Sequence, residues 1–187
     1  ETFSPTNNQA EVLDDAGLDL TLATDQVNAI RWMYSGKALQ LGTSDGPFII
    51  SSGSDNLALT PNNVTVNRET SDGVAQKKPI GAGKATLYID RTRTKIRELA
   101  YSLEADGFAT PDMTLIAEHI TTGNVKELSY TRSPDSLVWA LLDTGQLRCL
   151  TYEREQDVVA WHRHVIGGTD ALIKSIAAIP SASLLYT

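Results

Sequence analysis

His162 and His164, two of the chain's three histidines, lie two residues apart in LTYEREQDVVAWHRHVIGG, Leu150 to Gly168. On a β-strand, residues two apart point to the same face, so this pair could close on one metal ion. Trp161 and Arg163 interleave with them, and Glu153, Glu155 and Asp157 stand just upstream. The competing reading is a long hairpin. Leu147 to Tyr152 reads as one strand, Glu153 to Asp157 as a polar turn, and Val158 to Ile166 as a second strand ending at Gly167-Gly168. Zinc would want a third and a fourth ligand. The only cysteine is Cys149, the only other histidine is His119 in a different segment, and no CxxC, HExxH or HxH-plus-carboxylate spacing is present. The ligand set therefore reads as incomplete, and the expectation is a structural hairpin with no metal site and no cofactor.

Four cations form the second group. Arg91, Arg93, Lys95 and Arg97 occupy alternate positions in DRTRTKIRE, so in a hairpin they would share one face. Such a row could grip phosphate or contact another subunit. Its commoner use is a solvated hairpin edge guarded against aggregation.

Other motifs fall short of chemistry. GAGKAT, Gly81 to Thr86, lacks the first glycine of a phosphate loop, has Ala85 after Lys84, and precedes a strand instead of a helix; it reads as a tight turn. No Gly-x-Ser-x-Gly elbow is present, and Ser, His and Asp occur in no triad-like spacing. The acidic pairs Asp14-Asp15 and Glu153/Glu155 fall in arms or turns, where solvation explains them. Catalytic residues are therefore not expected, and the chain reads as a non-enzyme.

The elements that position these residues are short strands punctuated by Gly, Asp, Asn and Ser. They run VNAIRWMY, ALQLGT, PFII, VTVNR, ATLYID, KIRELAYSL, VKELSY, LVWALL, LRCLTY, VVAWHRHVI, LIKSIAAI and SLLY. Hairpin-sized joins such as SGK, TSDGP and SPDS separate them. One short helix is expected from Pro111 to His119, with Thr110 as cap and Leu115, Ile116 and Ile120 as its apolar stripe; His119 would lie on or beside that stripe. Residues 1–17 read as a polar arm and 18–187 as one β domain, in which LDLTLA, 18–23, alternates like a strand.

A strand, tight turn and second strand recur. The second strands begin near Ala38, Ala85, Leu137 and Ser183, a step close to the roughly 40 to 50 residues of a propeller blade. The fold class expected is all-β, a propeller-like array of small antiparallel blades, with a β-sandwich as the alternative. Within it the Trp161 strand is the outer strand of the third blade, and Trp32, Trp139 and Trp161 are packing residues.

A net charge of −7 argues against a broadly nucleic-acid-binding surface. The single cysteine excludes an internal disulfide and fits assembly in a reducing compartment. No stretch approaches the roughly 18 to 20 apolar residues of a membrane-spanning helix. The chain begins with Glu1 and stops inside the apolar run SASLLYT, so a fragment of a longer protein is expected.

Taken together and in order, VNAIRWMYSGKALQLGTSDGPFII, VTVNRETSDGVAQKKPIGAGKATLYIDRTRTKIRELAYSLEADGF, TPDMTLIAEHIT and LTYEREQDVVAWHRHVIGG resemble a family of bacteriophage and prophage structural proteins described as tail, nozzle, head-tail connector or DNA-stabilisation proteins. The resemblance runs from about Leu18 onward and carries no catalytic residues. It implies a virion component assembled in the bacterial cytoplasm, built on β-propeller-like domains and forming a ring around the DNA channel. Its implied partners are copies of itself, other virion proteins, and DNA passing without sequence specificity. An acidic lumen would repel phosphate and let a genome slide. The alternative function is a propeller-type binding module on the same particle, recognising a host-surface glycan or another virion protein.

Overall fold

The computed structural model describes residues 13–14, 16–22, 28–53, 57–104, 106–168 and 171–179. Most of the expected polar arm, and the whole of SLLY, lie outside the described residues. Leu18 to Leu22, the described part of LDLTLA, forms no strand. The chain divides into two compact units, Glu1–Gly73 and Val74–Thr187.

The first unit holds one sheet. Strands β1 (Ile30–Ser35), β2 (Leu39–Thr43), β3 (Gly46–Ser52) and β4 (Val64–Arg68) pair antiparallel in chain order. Its tightest turn joins Thr43 to Gly46. The Thr43 hydroxyl accepts from the backbone N–H groups of Asp45 and Gly46, each at 3.2 Å, and donates to the Gly46 carbonyl at 2.7 Å. Gly46 sits at φ 150, and a Cβ there would stand 2.0 Å from the Thr70 carbonyl oxygen, so the turn requires glycine. Leu41, Phe48 and Ile50 form the buried cluster of this sheet, with Leu39, Val64 and Val66 packed against it.

Two further sheets make up the second unit. One comprises β5 (Ile80–Ala82), β6 (Ala85–Ile89), β7 (Ile96–Ser102) and β8 (Gly107–Ala109); the other comprises β9 (Val125–Thr131), β10 (Leu137–Leu142), β11 (Leu147–Glu153) and β12 (Val158–His164). Every strand is adjacent to its sequence neighbour, as in a propeller blade and unlike the long crossover of a Greek-key sandwich. The fold is all-β and propeller-like. As the repeat predicts, β2, β6 and β10 are each the second strand of a sheet, and β12, carrying Trp161, is the outer strand of the third.

The two sheets of this unit share one core. Ala85, Leu87, Ile89 and Ile96 come from the second sheet, and Val125, Leu128, Val138, Ala140, Leu142, Leu150 and Tyr152 from the third. ATLYI of β6 is buried at all five positions, which explains why its apolar residues do not alternate with polar ones. Trp161 packs on the edge of this core and its indole N–H donates to the Met113 carbonyl at 2.8 Å, tying the outer strand to the loop before β9.

The helix expected from Pro111 to His119 shrinks to a 3-10 helix at Glu118–Ile120. Pro111 to Met113 instead continues the β8 pairing with β7. The Glu98 N–H donates to the Pro111 carbonyl at 3.1 Å, the Met113 N–H donates to the Ile96 carbonyl at 2.9 Å, and Asp112 bridges Arg97. Backbone groups committed to a ladder are not available for helical bonds. The supposed apolar stripe is broken accordingly: Ile120 is buried, but Leu115 and Ile116 are exposed, and so is His119. LIKSIAAI is also not a strand. Residues 171–179 lie along the third sheet, the Ile173 N–H donating to the Gly145 carbonyl at 3.0 Å and Ser175 hydrogen-bonding Glu127.

Candidate functional site: a histidine-cysteine cluster on the outer hairpin

The β11–β12 ladder decides the fate of the two histidines. A turn of residues 154–157, tightened by a 3-10 helix and by Asp157 at φ 54, sets the register at Glu153↔Val158. Counting back from that pair places Cys149 directly across from His162 and Leu147 across from His164. Since alternate residues share a face, Cys149, His162 and His164 project from the same side, the side opposite the Val138, Ala140 and Leu150 core. Their ligand atoms all lie within 4.8 Å of one another.

Nδ1 of His162 and Nε2 of His164 are 2.8 Å apart. The other ring nitrogen of His162 lies 3.5 Å from the Thr151 hydroxyl. Trp139, across from Cys149 on β10, holds its ring 4.8 Å from that of His164, and its own N–H donates to the Thr131 hydroxyl at 3.2 Å. Cys149 is fully buried, and burial pushes its thiol up to about 11. Burial, reinforced by His164, lowers the His162 pKa below the ordinary imidazole value. Cys149, which the sequence placed in a different strand from the histidines, thus stands beside them as a third potential donor. Hairpin symmetry was the available signal, because any turn centred between Glu153 and Val158 pairs residue 149 with residue 162.

The basic stripe is not a row on one face. Arg91, Arg93 and Lys95 lie in the β6–β7 turn, and only Arg97 lies in a strand. Arg93, at φ 64, forms an ion pair with Asp143 and donates to the Val125 carbonyl, while the Val125 N–H returns a bond to the Arg93 carbonyl at 2.7 Å. Lys95 sits 3.0 Å from Asp112, and Arg97 donates to the Thr110 carbonyl at 3.1 Å. The hydrogen bond and charge of Asp112 raise the Lys95 pKa. Burial pushes the Asp112 carboxyl upward, but hydrogen bonds from Thr114 and Lys95 outweigh it and hold the group below its ordinary value. Arg91 remains exposed in the turn.

A buried carboxyl, part of no motif, lies in the neighbouring sheet. Glu98 of β7 is fully buried, with Arg154 Nη2 3.0 Å from its Oε1 and Tyr152 beside it. The contact with Arg154 is an ion pair without hydrogen-bond alignment. Burial raises the Glu98 pKa, opposed by the charge of Arg154; burial and then the carboxylate raise that of Tyr152. An open cleft of about 370 Å³, lined by Glu98, Tyr101, Leu103, Pro111 and Arg154, adjoins the pair. Because Arg154 follows β11, this pair joins the second and third sheets.

No family model and no curated protein matches the chain. Among solved structures, it is similar to a luciferin-regenerating enzyme at 14% identity and a TM-score of 0.44, covering 73% of this chain and 46% of that one. The chain thus spans less than half the length of that structure, and at this similarity the likeness carries no argument about activity. Among the described residues, no helix is long and apolar enough to cross a membrane.

Proposed function

We propose that the chain is a non-enzymatic structural protein of a phage or prophage tail or connector, assembling with copies of itself and with other virion proteins into a ring around the DNA channel. The observation that carries this reading is apolar surface beyond the last strand. Val165, Ile166, Leu172 and Ile179 are 93%, 51%, 66% and 83% exposed. Exposed large apolar side chains in the segments that follow a blade suit a surface that another sheet or subunit covers. The sequence resemblance supplies the class of particle.

Mass photometry and negative-stain imaging of the protein test the proposal. Rings or tubes of defined symmetry are expected, disrupted by Val165→Asp with Leu172→Asp. A monomer at every concentration overturns it.

A further inference from the structure

We infer that Cys149, His162 and His164 form a three-ligand site for a borderline-soft divalent transition metal of the zinc class, with water as the fourth ligand. The inference is independent of the assembly proposal, because it rests on one hairpin within one chain.

The donor set matches the metal. One thiolate and two imidazoles suit zinc, and three protein ligands plus water is an established stoichiometry for it. Zinc bonds of about 2.0–2.1 Å to nitrogen and about 2.3 Å to sulfur put one sulfur and two nitrogen donors in tetrahedral array roughly 3.3–3.6 Å apart. The three donors here all lie within 4.8 Å of one another, no more than about 1.5 Å beyond that spacing. The facing ring nitrogens, Nδ1 of His162 and Nε2 of His164 at 2.8 Å, need to separate by only about half an ångström.

The surroundings are those of a supported site. Coordination through Nδ1 of His162 leaves its Nε2–H to donate to the Thr151 hydroxyl, now 3.5 Å away, which fixes the tautomer. Trp139 packs against the His164 ring and limits its rotation. Both strands present their donors from a register that the ladder sets over seven consecutive pairs, so little ordering remains to be done on binding. Binding displaces the thiol proton to solvent, leaving a thiolate and two neutral imidazoles on the cation. The metal would clasp outer strand β12, the edge of its sheet, to β11.

The chain contains a single cysteine, so any sulfur-to-metal charge-transfer band reports Cys149 alone. The test treats the whole protein with chelator, removes the chelator, and titrates with Co²⁺ and with Zn²⁺, following absorbance and heat. Expected are one equivalent of either metal per chain, a near-ultraviolet thiolate–cobalt band, and visible bands of tetrahedral intensity. His164→Gln, a half-buried change on an edge strand, should weaken zinc binding at least about 100-fold, and His162→Gln likewise. Cys149→Ser should abolish the charge-transfer band. If that buried substitution does not fold, the wild-type cobalt spectrum decides: a thiolate band at one equivalent supports the site. Absence of the band, or stoichiometric zinc binding unchanged in both histidine variants, overturns it.

Discussion

Cys149 stands directly opposite His162 in the β11–β12 ladder, with His164 on the same face two residues further along. Three potential donors from two strands thus meet because a four-residue turn sets the register. A one-residue slip would send both histidines to the opposite face from the cysteine. Thr151 then acts as a positioning residue through His162. Thr151→Val is expected to weaken zinc binding about tenfold, the low end for loss of an outer-shell partner, while leaving the melting temperature of the metal-free protein unchanged. Parallel calorimetric titrations and thermal melts check both halves; an equal loss in apo stability would mean that Thr151 serves packing instead.

Glu98 predicts a pH dependence. Its folded-state pKa lies above the ordinary 4.5 because burial disfavours the charged form, with Arg154 only partly offsetting this. The folded state therefore holds the proton more tightly than the unfolded chain. The stability contributed is fully present below the unfolded value and is lost as pH rises through the folded one. Glu98→Gln removes that loss, so the variant should gain on the wild type as pH rises from 4 to 8. Urea unfolding of both proteins across that range measures the difference directly, and a difference that does not vary with pH would contradict the assignment.

Gly42 lies across from Trp32, and a Cβ at this position would sit 2.1 Å from Cε2 of the indole. Trp32 is buried, and Gly42 lies in a strand, so neither yields easily. Gly42→Ala should cost about 1–3 kcal/mol by overpacking. Chemical denaturation gives the magnitude, and a tryptophan fluorescence shift in the folded state would report displacement of the indole. A cost below about 0.5 kcal/mol would mean that the ring moves aside freely.

Arg91 and Arg93 should behave differently despite their spacing. Arg93 binds Asp143 and the Val125 carbonyl, joining the β6–β7 turn to the third sheet, so Arg93→Glu places like charges together and should destabilise by about 1–2 kcal/mol. Arg91 is exposed, and Arg91→Glu should stay within about 0.5 kcal/mol of the wild type. Thermal melts separate the two. Only Arg91→Glu then gives a clean test of whether this turn contacts phosphate or a neighbouring subunit, read by mass photometry with and without DNA.

Local chemistry was sufficient for most of the fold. Strands VTVNR and LVWALL coincide with β4 and β10 residue for residue, because alternating or continuous apolar runs between short polar turns leave few other ways to bury side chains. The blade repeat was legible for the same reason: each strand pairs with its immediate neighbour, so the periodicity is visible along the chain. What depended on distant partners was not. TPDMTL carries a helix start signal, yet its backbone bonds went to Ile96 and Glu98, since an open ladder beside β7 outcompeted a helix too short to stabilise itself. The cations at 93 and 95 read as one row, but Asp143 and Asp112, distant in sequence, claim them separately. The third donor beside the histidines belongs to both categories. Alternation along β12 put His162 and His164 on one face; only the cross-strand register, a tertiary property fixed by turn and core together, brought Cys149 to them.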